Sequence, residues 1–178
     1  NKINDMRRMN GERIERECAM IASRTESAAS MKRREVLLRA RVGLIDRAYT
    51  NAEEYICSLP EEDYVSFLSH LLSDAVNSRL DEAAELAEHY GEEADCNFEV
   101  IFNSADREKL SERVLGRSAE LLGKRGKDIS VSVAEETADI RGGLILRYGD
   151  IETNCSVKAV ISSLRADTES EVVKVLFS

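Results

Sequence analysis

Apolar residues in the first third of the chain recur at intervals of eleven. Met9, Met20, Met31 and Val42 form one column, and Ile3, Ile14, Thr25 and Val36 form a second. Cys18, Ala29 and Ala40 form a third, which Arg7 opens poorly. Eleven residues over three turns is about 3.67 residues per turn, the period of a right-handed or nearly straight coiled coil. The same stretch has no proline, has glycine only at Gly11 and Gly43, and is rich in Ala, Arg, Glu and Met. These are strong helix formers. The pattern predicts one long helix over residues 1–57, with Gly43 as its candidate break. Columns this thin bury too little to hold a lone helix in water, so the arm is expected to pair with another helix rather than fold back on its own chain.

Beyond residue 57 the period changes several times. Ser58-Leu-Pro-Glu61 reads as a capping box with proline just inside the helix start. It opens a helix to about Glu88, with Tyr64, Leu68, Leu71, Leu72, Ala75, Leu80, Ala83 and Ala87 near one face. After Gly91, Phe98, Val100 and Phe102 alternate with their neighbours as in a strand. Asn103-Ser104 caps a helix through about Leu122, with Leu110, Val114 and Leu121 inward, and Gly123 and Gly126 end it. Ile129, Val131 and Val133 make a second strand, and Leu144, Leu146 and Tyr148 a third after the turn Arg141-Gly-Gly143. Gly149-Asp150 is a hairpin signal leading into a fourth strand with Ile151, Thr153 and Cys155 on one face. A final helix, from Val157 through Val160, Ile161, Leu164, Thr168, Val172, Val175 and Leu176, is expected to be amphipathic and to cover the sheet. The fold class is α+β: an N-terminal helical arm, 1–57, and a C-terminal domain, 58–178, with a small four-stranded mixed sheet covered by helices.

Charge sharpens that division. The net charge is −9, but residues 1–60 are net basic while the remainder is strongly acidic. An acidic body argues against a nucleic-acid groove, and no stretch approaches the roughly 20 apolar residues that span a bilayer. No nucleic-acid partner and no direct membrane insertion are therefore expected.

Candidate chemistry is sparse. Cys18, Cys57, Cys96 and Cys155 are scattered, and His70 and His89 lie apart, so no metal site is expected. Gly123-Lys-Arg-Gly-Lys127 lacks the Ser or Thr of a phosphate loop and carries Asp128 instead. Asn154-Cys-Ser156 fits the glycosylation pattern, which matters only in a secreted protein. No nucleophile elbow is present. No catalytic residue and no cofactor are expected.

The stretch Gly142-Gly-Leu-Ile-Leu-Arg-Tyr-Gly-Asp-Ile-Glu-Thr-Asn-Cys-Ser156 resembles the C-terminal signature of rotary ATPase E subunits of the V/A type. So do Ser163-Leu-Arg-Ala-Asp167 and Val172-Val-Lys-Val-Leu-Phe177. Cys155-Ser156-Val157 departs from the Thr-Phe usual after the asparagine, and the final helix is poorer in arginine than is typical. The resemblance implies a non-catalytic peripheral stalk, or stator, component of a proton- or sodium-translocating ATPase or ATP synthase, cytoplasmic and peripheral to the membrane. It implies three partners: the G/H helix along the arm (G, or H in archaeal enzymes), the N-terminal region of the B subunit of the head on the C-terminal module, and the membrane-bound a/I component at the arm's end. Arm contacts are expected at Met9, Ile14, Met20, Ile21 and Met31. Head contacts are expected, by resemblance alone, around Gly142, Gly143, Asn154, Leu164 and Phe177. The alternative is a stator-like regulator of a flagellar or type III export ATPase, which self-dimerises.

Overall fold

The computed structural model describes residues 2–90, 96–123 and 129–178, with backbone only for 86–90. Two compact units divide between Arg47 and Ala48.

Helix α1 spans Lys2–Cys57 without interruption. The expected break at Gly43 does not occur: nothing lies within 4 Å of where its side chain would be. One exposed glycine costs a helix only about 1 kcal/mol, too little to end an element of 56 residues. Ion pairs one turn apart line its surface, including Arg13–Glu17 at 3.6 Å and Arg39–Glu35 at 2.7 Å.

Helix α2 spans Glu61–Tyr90, with Glu61, Glu62 and Asp63 at its positive end. Ser58 does not cap it. Its hydroxyl donates back to the Tyr55 carbonyl at 2.9 Å and closes α1. Pro60 stands just outside α2, where its carbonyl accepts from the Tyr64 N–H at 2.9 Å. Strand β1 (Asn97–Ile101), helix α3 (Ser104–Leu122), strands β2 (Ser130–Val133), β3 (Gly143–Tyr148) and β4 (Ile151–Ser156), and helix α4 (Val157–Phe177) follow. Asn103 caps α3 as its sequence predicts, accepting from the Asp106 N–H at 2.7 Å.

The sheet order is β2-β1-β3-β4, with β1 and β2 parallel and the other neighbours antiparallel. Phe98, Val100, Leu144, Leu146 and Cys155 face a core built with Leu68, Leu72, Val76 and Leu80 of α2 and Leu110, Val114 and Leu122 of α3. Val65 and Val76 are fully buried, whereas Leu71 and Ala75 are partly so. In α3 it is Leu122, not Leu121, that is buried. Ser69 and Ser118 are buried among these helices, and the Ser69 hydroxyl lies 2.7 Å from the Val65 carbonyl of its own helix and 3.4 Å from the Val114 carbonyl of α3. Small side chains there let α2 and α3 approach closely.

The last helix departs from expectation. The sheet is covered by α2 and α3, and α4 buries only Val157. Leu164, Val173, Val175 and Leu176 are exposed. The apolar residues of its second half, Val172, Val173, Val175, Leu176 and Phe177, are nearly consecutive and so spread over about half of the helix circumference instead of forming one narrow stripe. Twenty-one helical residues also run about 31 Å, well beyond the roughly 20 Å of a six-residue strand. Tyr49 holds α4 by its middle: its hydroxyl lies 2.8 Å from Thr168 Oγ1, and the Arg165 guanidinium sits 5.2 Å over its ring.

Candidate partner-binding surfaces

The arm residues singled out in the sequence are all at the surface. Met9, Ile14, Met20, Ile21 and Met31 are between 53% and 72% exposed. Val36, Leu37, Leu38, Val42 and Leu44 add to them. A run of large exposed apolar side chains on one helix is a kind of surface that proteins use for contacts. Leu37, Leu38 and Leu44 fall outside the eleven-residue columns, so column reading passes over them. Their signal is the dense apolar composition of residues 36–45.

In the C-terminal unit the head-facing residues named from the signature divide by position. Gly142 and Gly143 are buried, where α2, α3, β3 and α4 meet. The Tyr64 hydroxyl accepts from the Gly143 N–H at 3.0 Å and donates to Asp106 Oδ2 at 3.1 Å. The Gly142 carbonyl accepts from the Val157 N–H at 3.0 Å. A side chain on Gly142 would meet the Tyr64 hydroxyl at 2.6 Å and Cys57 Sγ at 2.8 Å. Gly143 has φ +94°, and its missing Cβ would lie 2.6 Å from backbone atoms of Cys155 and Ser156. At Gly143 only glycine fits, whereas a side chain at Gly142 would have to displace the Tyr64 hydroxyl and Cys57 Sγ. Asn154 is exposed, and its Oδ1 accepts from the Ser156 N–H at 2.9 Å while Ser156 caps α4. Leu164 is exposed and Phe177 half-buried on α4. The signature glycines, asparagine and serine thus act first as a junction that launches β3 and α4.

On the sheet face away from the helices, Arg147 bridges three strands. It pairs with Glu99 at 3.1 Å and with Glu152 at 2.7 Å, and also with Glu136. Glu152 first, then Glu136, hold its guanidinium firmly protonated.

Among the described residues no group of His, Cys, Asp or Glu could hold a metal. Burial pushes the Cys57 and Cys155 thiols up, away from the reactive thiolate. The Tyr64 hydroxyl is likewise raised, by burial first, and burial also raises the Asp106 carboxyl. The His70 ring lies 2.8 Å from the Ser66 carbonyl, one turn away on the same helix. The side chains of Ala87 and His89 lie outside the described residues, as do Gly91 and the basic stretch 124–128 with Gly126. Among the described residues that line the recess between α3 and β2, such as Leu115, Leu122, Ile129 and Val131, none is titratable. No described helix is long and apolar enough to cross a membrane.

The family model described as "ATP synthase (E/31 kDa) subunit" matches residues 3–177. The chain belongs to the ATP synthase E-subunit family. Among curated relatives, the E subunit of a V-type ATP synthase of Acetivibrio thermocellus is 32% identical over 67% of this chain and 52% of its own length. The E subunit of a V-type proton ATPase of Thermoanaerobacter pseudethanolicus is 29% identical over 79% of this chain and 62% of its own. The E subunit of a V-type proton ATPase of Clostridium botulinum is 31% identical over 88% and 70%. The E-family chain here therefore spans about half to two thirds of the length of these relatives. Within it, the Gly-Gly and Asn-x-Ser elements of the signature have a local physical cause in the junction at Tyr64. Tyr64, Asp106 and Arg147 have no motif of their own in the sequence, because each has a partner 42 or more positions away.

Proposed function

We propose that this chain is the peripheral-stalk E subunit of a V/A-type proton- or sodium-translocating ATPase or ATP synthase, and that its role is mechanical and non-catalytic. Residues 1–57 pair with the G/H-type helix, and the arm's end meets the membrane-bound a/I component. Residues 58–178 anchor the N-terminal region of the B subunit of the head. The stalk stands at the cytoplasmic face, peripheral to the membrane, and resists rotor torque.

The observation that carries this reading is the exposed apolar run on α1 in a chain of the E family. Met9, Ile14, Met20, Ile21 and Met31 stand in water along one helix, a cost that a second helix removes at roughly 25 cal/mol for each Å² it covers. A continuous helix with ion pairs along it is also a stiff element, as torque resistance needs. The junction at Gly142–Gly143, where α2, α3, β3 and α4 are hydrogen-bonded together, supports a rigid anchor.

The test is co-expression with the G/H-type stalk protein of the same genome, followed by light scattering on the purified species. A one-to-one heterodimer with raised helicity is expected, and Met20→Asp with Met31→Asp should abolish it. Residues 58–178 should retain the B subunit of the head in a pull-down. A homodimer indifferent to the G/H-type helix would overturn the pairing and fit the export-ATPase regulator instead.

A further inference from the structure

Residues 27–45 of α1 differ from the rest of the arm. They hold five basic residues, Lys32, Arg33, Arg34, Arg39 and Arg41, against one acidic residue, Glu35. The preceding 26 residues are nearly balanced, with six basic and five acidic. The excess positive charge of the arm is thus concentrated in one band, in a chain whose net charge is −9.

The single carboxylate of the band is already used. Glu35 pairs with Lys32 at 2.9 Å and with Arg39 at 2.7 Å. Arg33 and Arg34 are exposed and have no carboxylate partner among the described residues. They also stand beside exposed apolar residues: Arg34, three positions after Met31 and four before Leu38, borders the Met20–Met31 column. Leu37 is four positions after Arg33 and three after Arg34, and Leu44 is one heptad further on, so all four share a face. Leu37 is 57% exposed and Leu44 46%. A helix that covers these leucines brings both guanidiniums into its rim. A charge moved out of water without a counter-charge weakens the contact, so the covering helix has to supply carboxylates.

We infer that this band selects its partner by charge: it takes an amphipathic helix with acidic residues flanking its apolar stripe. The inference rests on the stalk reading above and specifies the chemistry of the pairing helix. A second copy in parallel register is disfavoured, because Arg33 and Arg34 would meet themselves. An antiparallel second copy would have to bring the band to the acidic residues of the N-terminal half. There Glu12 and Glu17 already pair with Arg8 and Arg13 one turn away, which leaves chiefly Glu15 and Glu26 to face five basic residues. The apolar stripe supplies the attraction, and the basic band rejects like-charged helices.

The experiment uses the full chain and the G/H-type stalk protein of the same genome as probe. Affinity is measured at about 50 mM and about 500 mM NaCl, where screening lengths differ several-fold. Wild-type pairing should weaken as salt rises. Arg33→Glu with Arg34→Glu should lose about tenfold or more in affinity at low salt and reverse the trend, tightening as salt screens the repulsion. Its helicity should be unchanged, since Glu and Arg have similar helix propensity. If Met20→Asp with Met31→Asp abolishes pairing while the double reversal binds like wild type with the same salt trend, the charge selection is wrong and the stalk reading stands. If neither pair of substitutions matters, the stalk reading itself fails. If the chain alone self-associates and the reversal dissolves that association, the occupant is a second copy and the inference is overturned.

Discussion

The Tyr64 hydroxyl lies 2.6 Å from the place a Cβ on Gly142 would take, and the same hydroxyl accepts from the N–H of Gly143 at 3.0 Å. One phenol therefore both excludes a side chain from the signature and binds the backbone that the exclusion leaves open. Gly143→Ala should cost about 3 kcal/mol or more, because φ strain adds to a clash with backbone that cannot move aside. Gly142→Ala should cost about 1–3 kcal/mol. Tyr64→Phe removes the obstructing oxygen, so the double variant Tyr64→Phe/Gly142→Ala should be more stable than the sum of the single costs. Cys57 Sγ, 2.8 Å from the same point, keeps the relief partial. Urea denaturation of wild type, the two single variants and the double variant gives the coupling, and additive costs would show that the hydroxyl is not the obstacle.

Asp106 shares this junction. Burial raises its carboxyl above the usual range, against the opposing pull of hydrogen bonds from Tyr64 and Asn103. A carboxyl whose folded pKa exceeds its unfolded value, near 3.9, favours the folded state most when protonated. That contribution is present below the unfolded pKa and is lost as pH rises through the folded pKa. Asp106→Asn keeps an acceptor without the charge. Measured against wild type by denaturation from acid to neutral pH, it should gain relative stability as pH rises. Asp106→Ala leaves the Tyr64 O–H and Asn103 N–H unmatched and should lose about 1–3 kcal/mol at neutral pH. A pH-independent difference between wild type and Asp106→Asn would contradict the assignment.

Gly43 has open space around it inside α1. Gly43→Ala should raise helix stability by about 0.5–1 kcal/mol, seen as higher helicity and melting temperature by circular dichroism. Gly43→Pro should cost about 3 kcal/mol and break the helix there. Loss of partner binding in Gly43→Ala, with helicity raised, would mean that a partner backbone approaches closely at that position.

Tyr49 is the middle support of α4 through Thr168 and Arg165. Its ring and hydroxyl contacts are worth about 1 kcal/mol each. Tyr49→Ala should speed amide hydrogen exchange across residues 165–177 by about tenfold or more, with β1 and β3 unchanged. Unaltered exchange in α4 would show that the helix is held elsewhere.

The local elements were largely legible in the chain itself, because each depends on short-range causes. The eleven-residue columns and the absence of proline made α1 a helix, Asn103 announced α3, Gly149-Asp150 announced the β3–β4 hairpin, and alternation announced the strands. The division between a basic arm and an acidic body also needed only the order of charges. Tertiary packing decided what short-range pattern leaves open. It chose Val65, Val76 and Leu122 for the core over Leu71, Ala75 and Leu121, since a helix face is set by what it packs against. It left α4 largely uncovered, since a broad apolar face on a helix does not say which part of it is buried. It gave Gly142 its reason in Tyr64, 78 positions earlier in the chain, and Gly143 its reason in the backbone of Cys155 and Ser156, because the space a side chain needs is defined only when separate segments meet.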